Sequence, residues 1–257
     1  CLSRGLGDVY KRQDYRIYKM TPAEYVRYIL IYMTGLVLIS ILFFNSLIPM
    51  IFLSPAIIVL LKNKRVALKE KRQKTLRLEF KELMVSFAAN MSAGYSLEKS
   101  MINSYDEMNS LFGDKCYMCQ EILWMKKGLD MNVDPVELFA DLGDRSGVFE
   151  IVEFAQVVSV GKKSGGDTIR IIKRMTDNIT RKGDIENEID TMVSGKRLEQ
   201  RIMCLMPFGI IMYLRLTNET YISGLYGNFV GIVVMSVALL LIYAAYIWGS
   251  RLVKIEV

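Results

Sequence analysis

Hydrophobic positions recur along this chain in two ways. In the middle they follow helical spacing, three and four residues apart, and towards both ends they run on without a charge. Phe80, Leu83, Met84, Phe87 and Met91 make one stripe, and Ile172, Met175 and Ile179 make another. The second stripe is expected to continue after Gly183 through Ile185, Ile189, Met192 and Val193, so that one long helix leads from a water-facing bundle towards Ile202. No segment of the middle alternates with period two, and the predicted fold class is all-α. Local turn chemistry sets the breaks. Ala93-Gly94-Tyr95-Ser96 ends one helix and starts the next, with Gly94 and Ser96 as the turn positions. Asp134-Pro135-Val136-Glu137 supplies a cap, a first-turn proline and the third-position Glu of a capping box. Gly161 to Asp167 makes the next turn, through Gly165 and Gly166, with Asp167 as N-cap. Residues 78–201 are expected to form an antiparallel helical bundle that buries Phe80, Leu83, Phe87, Leu97, Leu123, Leu138, Leu142, Phe154, Val158, Ile172 and Met175.

The uncharged runs read as membrane segments. Tyr28 to Phe44 has the length and composition to cross a bilayer of ~20 helical residues, and Leu47 to Leu61 is just long enough, with Pro49 and Pro55 inside it. Residues 14–61 thus form a membrane hairpin. Val230 to Trp248 is the clearest crossing, whereas Ile202 to Leu214 is short, contains Pro207 and is followed by Arg215. Residues 202–257 are expected to supply a second pair of crossings, four in all, in an all-α integral membrane protein. Charge then orients the chain. Residues 62–81 carry nine basic side chains against two acidic ones, and residues 82–167 carry seven against fourteen. The positive-inside rule puts the basic collar, and with it both termini, in the cytoplasm of the cell membrane. Lipid head groups account for such a run without nucleic acid. The chain begins with Cys1, and Asp8 to Gln13 resembles a translated sequencing adaptor, so residues 1–13 are set aside as an artefact.

Candidate chemistry adds little. The 257 residues contain no histidine, and 52% are hydrophobic. The glycine-rich run at 161–166 has the wrong order for a phosphate loop and follows no strand. Cys116-Tyr117-Met118-Cys119 is a lone CxxC without the second pair that zinc requires, or the βαβ context of a redox enzyme. The cysteine placement fits a reduced, cytoplasmic setting. Met84, Met91, Met101 and Met108 read as core filler. Neither an enzyme, nor a catalytic residue, nor a cofactor, nor a metal site is expected.

The order of parts, a membrane hairpin, a cytoplasmic helical domain and a second membrane pair, resembles the type II secretion system F-domain family, in its TadB/TadC form of tight-adherence (Flp) pilus assembly. Leu83 to Ser100 is similar to the family's opening helix, Ala-Gly turn and Ser-Leu restart; Val157 to Ile172 to its glycine turn; and Glu188 to Pro207 to its long helix entering the membrane at a proline. Lys162-Lys163 depart from the acidic residue more usual before Ser-Gly. The resemblance implies a non-enzymatic platform that couples a cytoplasmic secretion ATPase to insertion of pilin subunits, works as a homo- or hetero-oligomer, and has a second platform protein of the same family as partner. A membrane scaffold or receptor of another system, or a transporter, is the alternative. Gly35, Gly209, Gly231, Ala244 and Ala245 are expected close-packing points between helices. The expected docking surface is the acidic face of the helix begun by Pro135, where Glu137, Asp141 and Asp144 recur at four and three residues, with Lys162 and Lys163 as the second partner-binding place.

Overall fold

The computed structural model describes residues 13–18, 20–46, 48–50, 54–113, 116–164, 168–217, 224, 226 and 228–253. Its helices are α1 (Pro22–Phe44), α2 (Pro55–Ser92), α3 (Leu97–Phe112), α4 (Tyr117–Asp130), α5 (Pro135–Ser146), α6 (Phe149–Ser164), α7 (Thr168–Thr217) and α8 (Phe229–Val253). No strand occurs among the described residues, so the fold is all-α. Contacts divide the chain into two units, residues 1–19 with 65–184 and residues 20–64 with 185–257.

The first unit is a helical bundle. Its centre is an aromatic cluster: Phe154 of α6 meets Phe80, Phe87 and Phe139 edge-on, at 5.7, 5.7 and 5.0 Å between ring centres. Met84, Met91, Met101 and Met108 are buried around it. Leu83, Leu138, Leu142, Val158, Ile172 and Met175 are buried as the helical spacing predicts, and Leu97 packs half-buried at the edge. Leu123 departs from expectation, being 42% exposed. The buried stripe of α4 runs Met118, Cys119, Ile122 and Met125, and a residue one position past Ile122 points about 100° away from it. The α7 stripe also ends early. Ile172, Met175 and Ile179 are buried, but Ile185 and Met192 are 52% and 69% exposed. The bundle unit stops at Asp184, so the stripe beyond it has no bundle face to cover.

Most turns fall where expected. Gly94 takes φ +91°, and the Ser96 hydroxyl then caps α3 by accepting the Lys99 N–H at 3.3 Å. Asp134 caps α5 by accepting the Val136 N–H at 2.9 Å, with Pro135 in the first turn. The glycine-rich segment differs: α6 continues through Gly161, Lys162 and Lys163 to Ser164. A single internal glycine costs a helix only about 1 kcal/mol, which neighbouring turns offset. The remaining turn positions, Gly165, Gly166 and Asp167, lie outside the described residues.

The second unit consists of α1, the opening of α2, the later part of α7 and α8. Thr21 and Glu24 form a reciprocal capping box, so α1 starts at Pro22, ahead of the uncharged run. Among the described residues Leu36, Phe43, Leu61 and Met235 are its buried hydrophobic side chains, and Phe43 meets Phe208 at 5.5 Å. At the end of α1 the Arg215 guanidinium donates to the Ile41 carbonyl and the Asn45 side chain. The Tyr226 hydroxyl donates to the Leu42 carbonyl at 2.6 Å, and the Ile41 carbonyl takes Arg215 as a second donor beside the Asn45 N–H at 3.1 Å, so the carbonyls at the end of α1 are satisfied in part from α7 and Tyr226. Leu30, Leu38, Leu205, Ile210, Leu240 and Leu241 face outward, a surface too apolar for water alone.

Four crossings were expected, and among the described residues two helices are long and apolar enough to qualify, Pro22–Phe44 and Phe229–Ser250, at mean hydropathies of 2.1 and 2.5. The other two stretches fall short for separate reasons. α2 begins at Pro55 and soon enters the basic collar, while Leu47 and residues 51–53 lie outside the described residues. Ile202 to Leu214 sits inside the 50-residue α7, with Arg201 and Arg215 on either side.

Candidate functional site

The expected acidic face of α5 resolves into two kinds of side chain. Leu138, Phe139, Leu142 and Gly143 turn into the bundle, leaving Glu137 and Asp144 exposed two turns apart on one side. Asp141 is engaged instead. Its carboxylate accepts the Arg145 Nε–H at 2.7 Å, one turn along the same helix. The three residues expected to act as a set are therefore an exposed pair and an internal partner. Lys162 and Lys163 belong to the last turn of α6, and their side chains lie outside the described part. An open groove of about 790 Å³ lies between α2 and α7, floored by Val85, Ala88 and Ala89 and rimmed by Lys173 and Arg181.

Arg145 leads inward to an ionic cluster that the sequence reading did not find. Its other nitrogens grip the buried Glu121 of α4 through both oxygens, at 3.1 and 2.8 Å, in the forked geometry that favours arginine. Tyr15 is seated on the same pair. Its hydroxyl donates to Glu121 at 2.9 Å, and its backbone N–H donates to the Arg145 carbonyl at 2.9 Å. The Arg72 guanidinium lies 4.6 Å over the Tyr15 ring and 5.6 Å from that of Tyr117. Burial and the Glu121 carboxylate push the Tyr15 hydroxyl far above the usual phenol range, so it remains a donor. Burial works against the Arg145 charge, but the bonds to Glu121 and Asp141 outweigh it and hold the guanidinium protonated.

Two further buried carboxylates stand apart from this cluster. Glu150 of α6 accepts the Lys182 ammonium at 2.8 Å and lies 3.3 Å from Arg77 Nε. Burial raises its pKa, and Lys182 and Arg77 outweigh that and pull it below the ordinary carboxylate value. At Glu79 of α2 burial pushes the carboxyl up, only partly offset by the N–H groups of Met118 and Tyr117. Beside it the structure joins Cys116 and Cys119 in a disulfide at the start of α4. Among the described residues no three His, Cys, Asp or Glu side chains form a metal-holding group. The acidic residues of these clusters read as surface in the sequence because an isolated Glu carries no periodic signal. CxxC was visible, and what it lacked was the buried carboxylate supplied by another helix.

No family model, curated protein or solved structure matches this chain.

Proposed function

We propose that this chain is an inner-membrane platform of a type II secretion or tight-adherence (Flp) pilus machine, of the F-domain family in its TadB/TadC form, coupling a cytoplasmic secretion ATPase to pilin insertion. What carries the reading is the succession of parts: an apolar helix, a polar helical bundle opened by the Gly94–Ser96 turn, a 50-residue helix passing through Pro207, and a second apolar helix. A second platform protein of the same type completes the assembly. Gly35 and Gly209 fit that role, because a Cβ on either meets nothing within 4 Å, leaving room for a neighbouring helix.

Contacts within the membrane-type unit support four crossings. Arg215 and Tyr226 mark one level, at the Phe44 end of α1. The opposite level is marked by Lys64, 5.3 Å over the Tyr28 ring, and by Gln200, whose amide donates to the Tyr246 carbonyl at 3.4 Å. Gln200 to Arg215 therefore runs from one level to the other, a helical rise of about 22 Å, and the chain between Asn45 and Lys64 makes the return. In this arrangement both termini and the bundle are cytoplasmic.

The ATPase docks on Glu137 and Asp144. The double reversal Glu137→Lys/Asp144→Lys leaves Asp141 with Arg145 and so spares the bundle. Pull-down of the cognate secretion ATPase is expected to fall severalfold and assembled pili to be lost, although each single change costs only ~0 to 1 kcal/mol. Undiminished pull-down from the folded double variant places the docking elsewhere, with the groove rimmed by Lys173 and Arg181 the next surface to reverse.

A further inference from the structure

The surroundings of Cys116 and Cys119 favour exchange chemistry over a permanent staple. Cys116 is the N-cap of α4, and its sulfur accepts the Cys119 N–H at 3.0 Å. A helix N-terminus stabilises a thiolate at that position. Glu79, projecting from α2, places Oε2 3.8 Å from the same sulfur and holds the Met118 N–H at 2.8 Å with that oxygen. The cross-linked residues are three apart in sequence. Closing so small a loop removes little entropy from the unfolded chain, so the bond does little as a staple. The sulfurs are also shielded, with Cys116 1% and Cys119 5% exposed. In the thiol-rich compartment where the proposed topology puts the bundle, a pair of this kind is cycled rather than fixed.

We propose that Cys116 and Cys119 are a reversible dithiol–disulfide couple that exchanges with low-molecular-weight thiols and disulfides, with Glu79 as the group that takes up and returns the Cys116 proton. In the oxidising direction the Cys116 proton passes to the Glu79 carboxylate. The thiolate attacks one sulfur of a small disulfide, RSSR; that S–S bond breaks, and RS⁻ leaves and is protonated by water. Glu79 returns its proton to solvent and accepts the Cys119 proton. Cys119 then attacks the Cys116 sulfur of the mixed disulfide and expels the second RS⁻. Two cysteine thiols are oxidised, and one RSSR is reduced to two RSH. Reduction follows the same steps backwards. Because Cys116 and Cys119 are 1% and 5% exposed, the exchange requires the first turn of α4 to open, which favours small co-reactants over a protein disulfide.

The test uses the full chain purified in mild detergent, without ATPase or pilin, so its outcome is independent of the platform reading. Samples are equilibrated with reduced and oxidised glutathione at graded ratios, quenched in acid, unfolded, alkylated with N-ethylmaleimide and mapped by mass. Cys116 and Cys119 are expected to pass together from unlabelled to doubly labelled across the series, with Cys204 labelled throughout as the internal reference. Double labelling at every ratio overturns the couple. So does a pair that excess dithiothreitol cannot open in the folded protein but opens after unfolding, since that is a static cross-link. For Glu79, the rate of oxidation by oxidised glutathione is expected to fall about tenfold or more in Glu79→Gln and to recover in part in Glu79→Asp. Equal rates in the three folded proteins, checked by circular dichroism, overturn its role. Should Glu79→Gln lose helicity, the rate of Glu79→Asp against the parent decides.

Discussion

Glu150 shows how one buried charge becomes a dependence of stability on pH. Its oxygens are held by Lys182 at 2.8 Å and by Arg77 at 3.3 Å, and their attraction outweighs burial, so its folded-state pKa lies below the unfolded value. A depressed carboxylate contributes stability that is present above its unfolded pKa, near 4.3, and is lost as pH falls through the folded one. Lys182→Met removes the largest stabilising partner while keeping an apolar stem. Denaturant titration of the full chain in detergent at pH 7 is expected to show a loss of about 1 to 2 kcal/mol, with the difference from the parent shrinking below pH 4. A difference that stays constant over that range assigns the loss to packing. None of this was legible in the sequence. Phe80, Leu83 and Phe87 announce their burial by spacing, but Glu150, Glu79 and Glu121 look like surface residues, and the partner of Glu121 in Tyr15 lies 106 positions away.

At the scale of helices, legibility followed how local the determinant was. Caps and turns need only a few neighbouring residues, and the Gly94–Ser96 and Asp134–Pro135 breaks stood where the composition put them. Thr21-Pro22-Ala23-Glu24 is as local a signal, and it extends α1 past the uncharged run. The end of the buried α7 stripe depends on where the bundle stops, which no window of α7 contains. Two glycines separate these influences experimentally. Gly147 ends α5 at φ +62°, and a Cβ there meets Gln73 Nε2 at 2.6 Å and Arg16 Cγ at 3.0 Å. Gly195 lies within α7, where a Cβ meets nothing within 4 Å. Gly147→Ala is expected to cost at least about 1 kcal/mol, from the left-handed backbone and the contact together. Gly195→Ala is expected to be neutral or to gain up to about 1 kcal/mol from helix propensity. Thermal unfolding followed by circular dichroism reads both. Equal shifts would mean that backbone conformation at Gly147 is not what limits it.

For the whole molecule, the number of crossings decides on which side of the membrane the bundle lies. With α1 and α8 as the only crossings, both termini share one side and everything from Asn45 to Asn228 sits on the other, bundle included, which parts Tyr15, ahead of α1, from Glu121 and Arg145 in the bundle. With Leu47–Leu61 and Ile202–Leu214 crossing as well, the termini stay where they were, and the bundle joins them. Terminal reporters and a label in the loop at Gly224 give the same result in both cases, so the informative position is in the chain before Arg201. Charge separates the alternatives physically. The two-crossing arrangement exports the nine basic residues of 62–81, against the retention of Lys and Arg on the cytoplasmic side. It also leaves no crossing segment to bring Lys64 to Tyr28, or Gln200 to Tyr246, at the opposite level. Ser194 is exposed on α7 and suits a single-cysteine reporter in a background lacking the other thiols. A membrane-impermeant maleimide is expected to label Gly224→Cys in intact cells and Ser194→Cys only after the membrane is permeabilised. Labelling of both in intact cells selects two crossings, moves the bundle outside, and removes the ATPase as a partner that could reach Glu137 and Asp144.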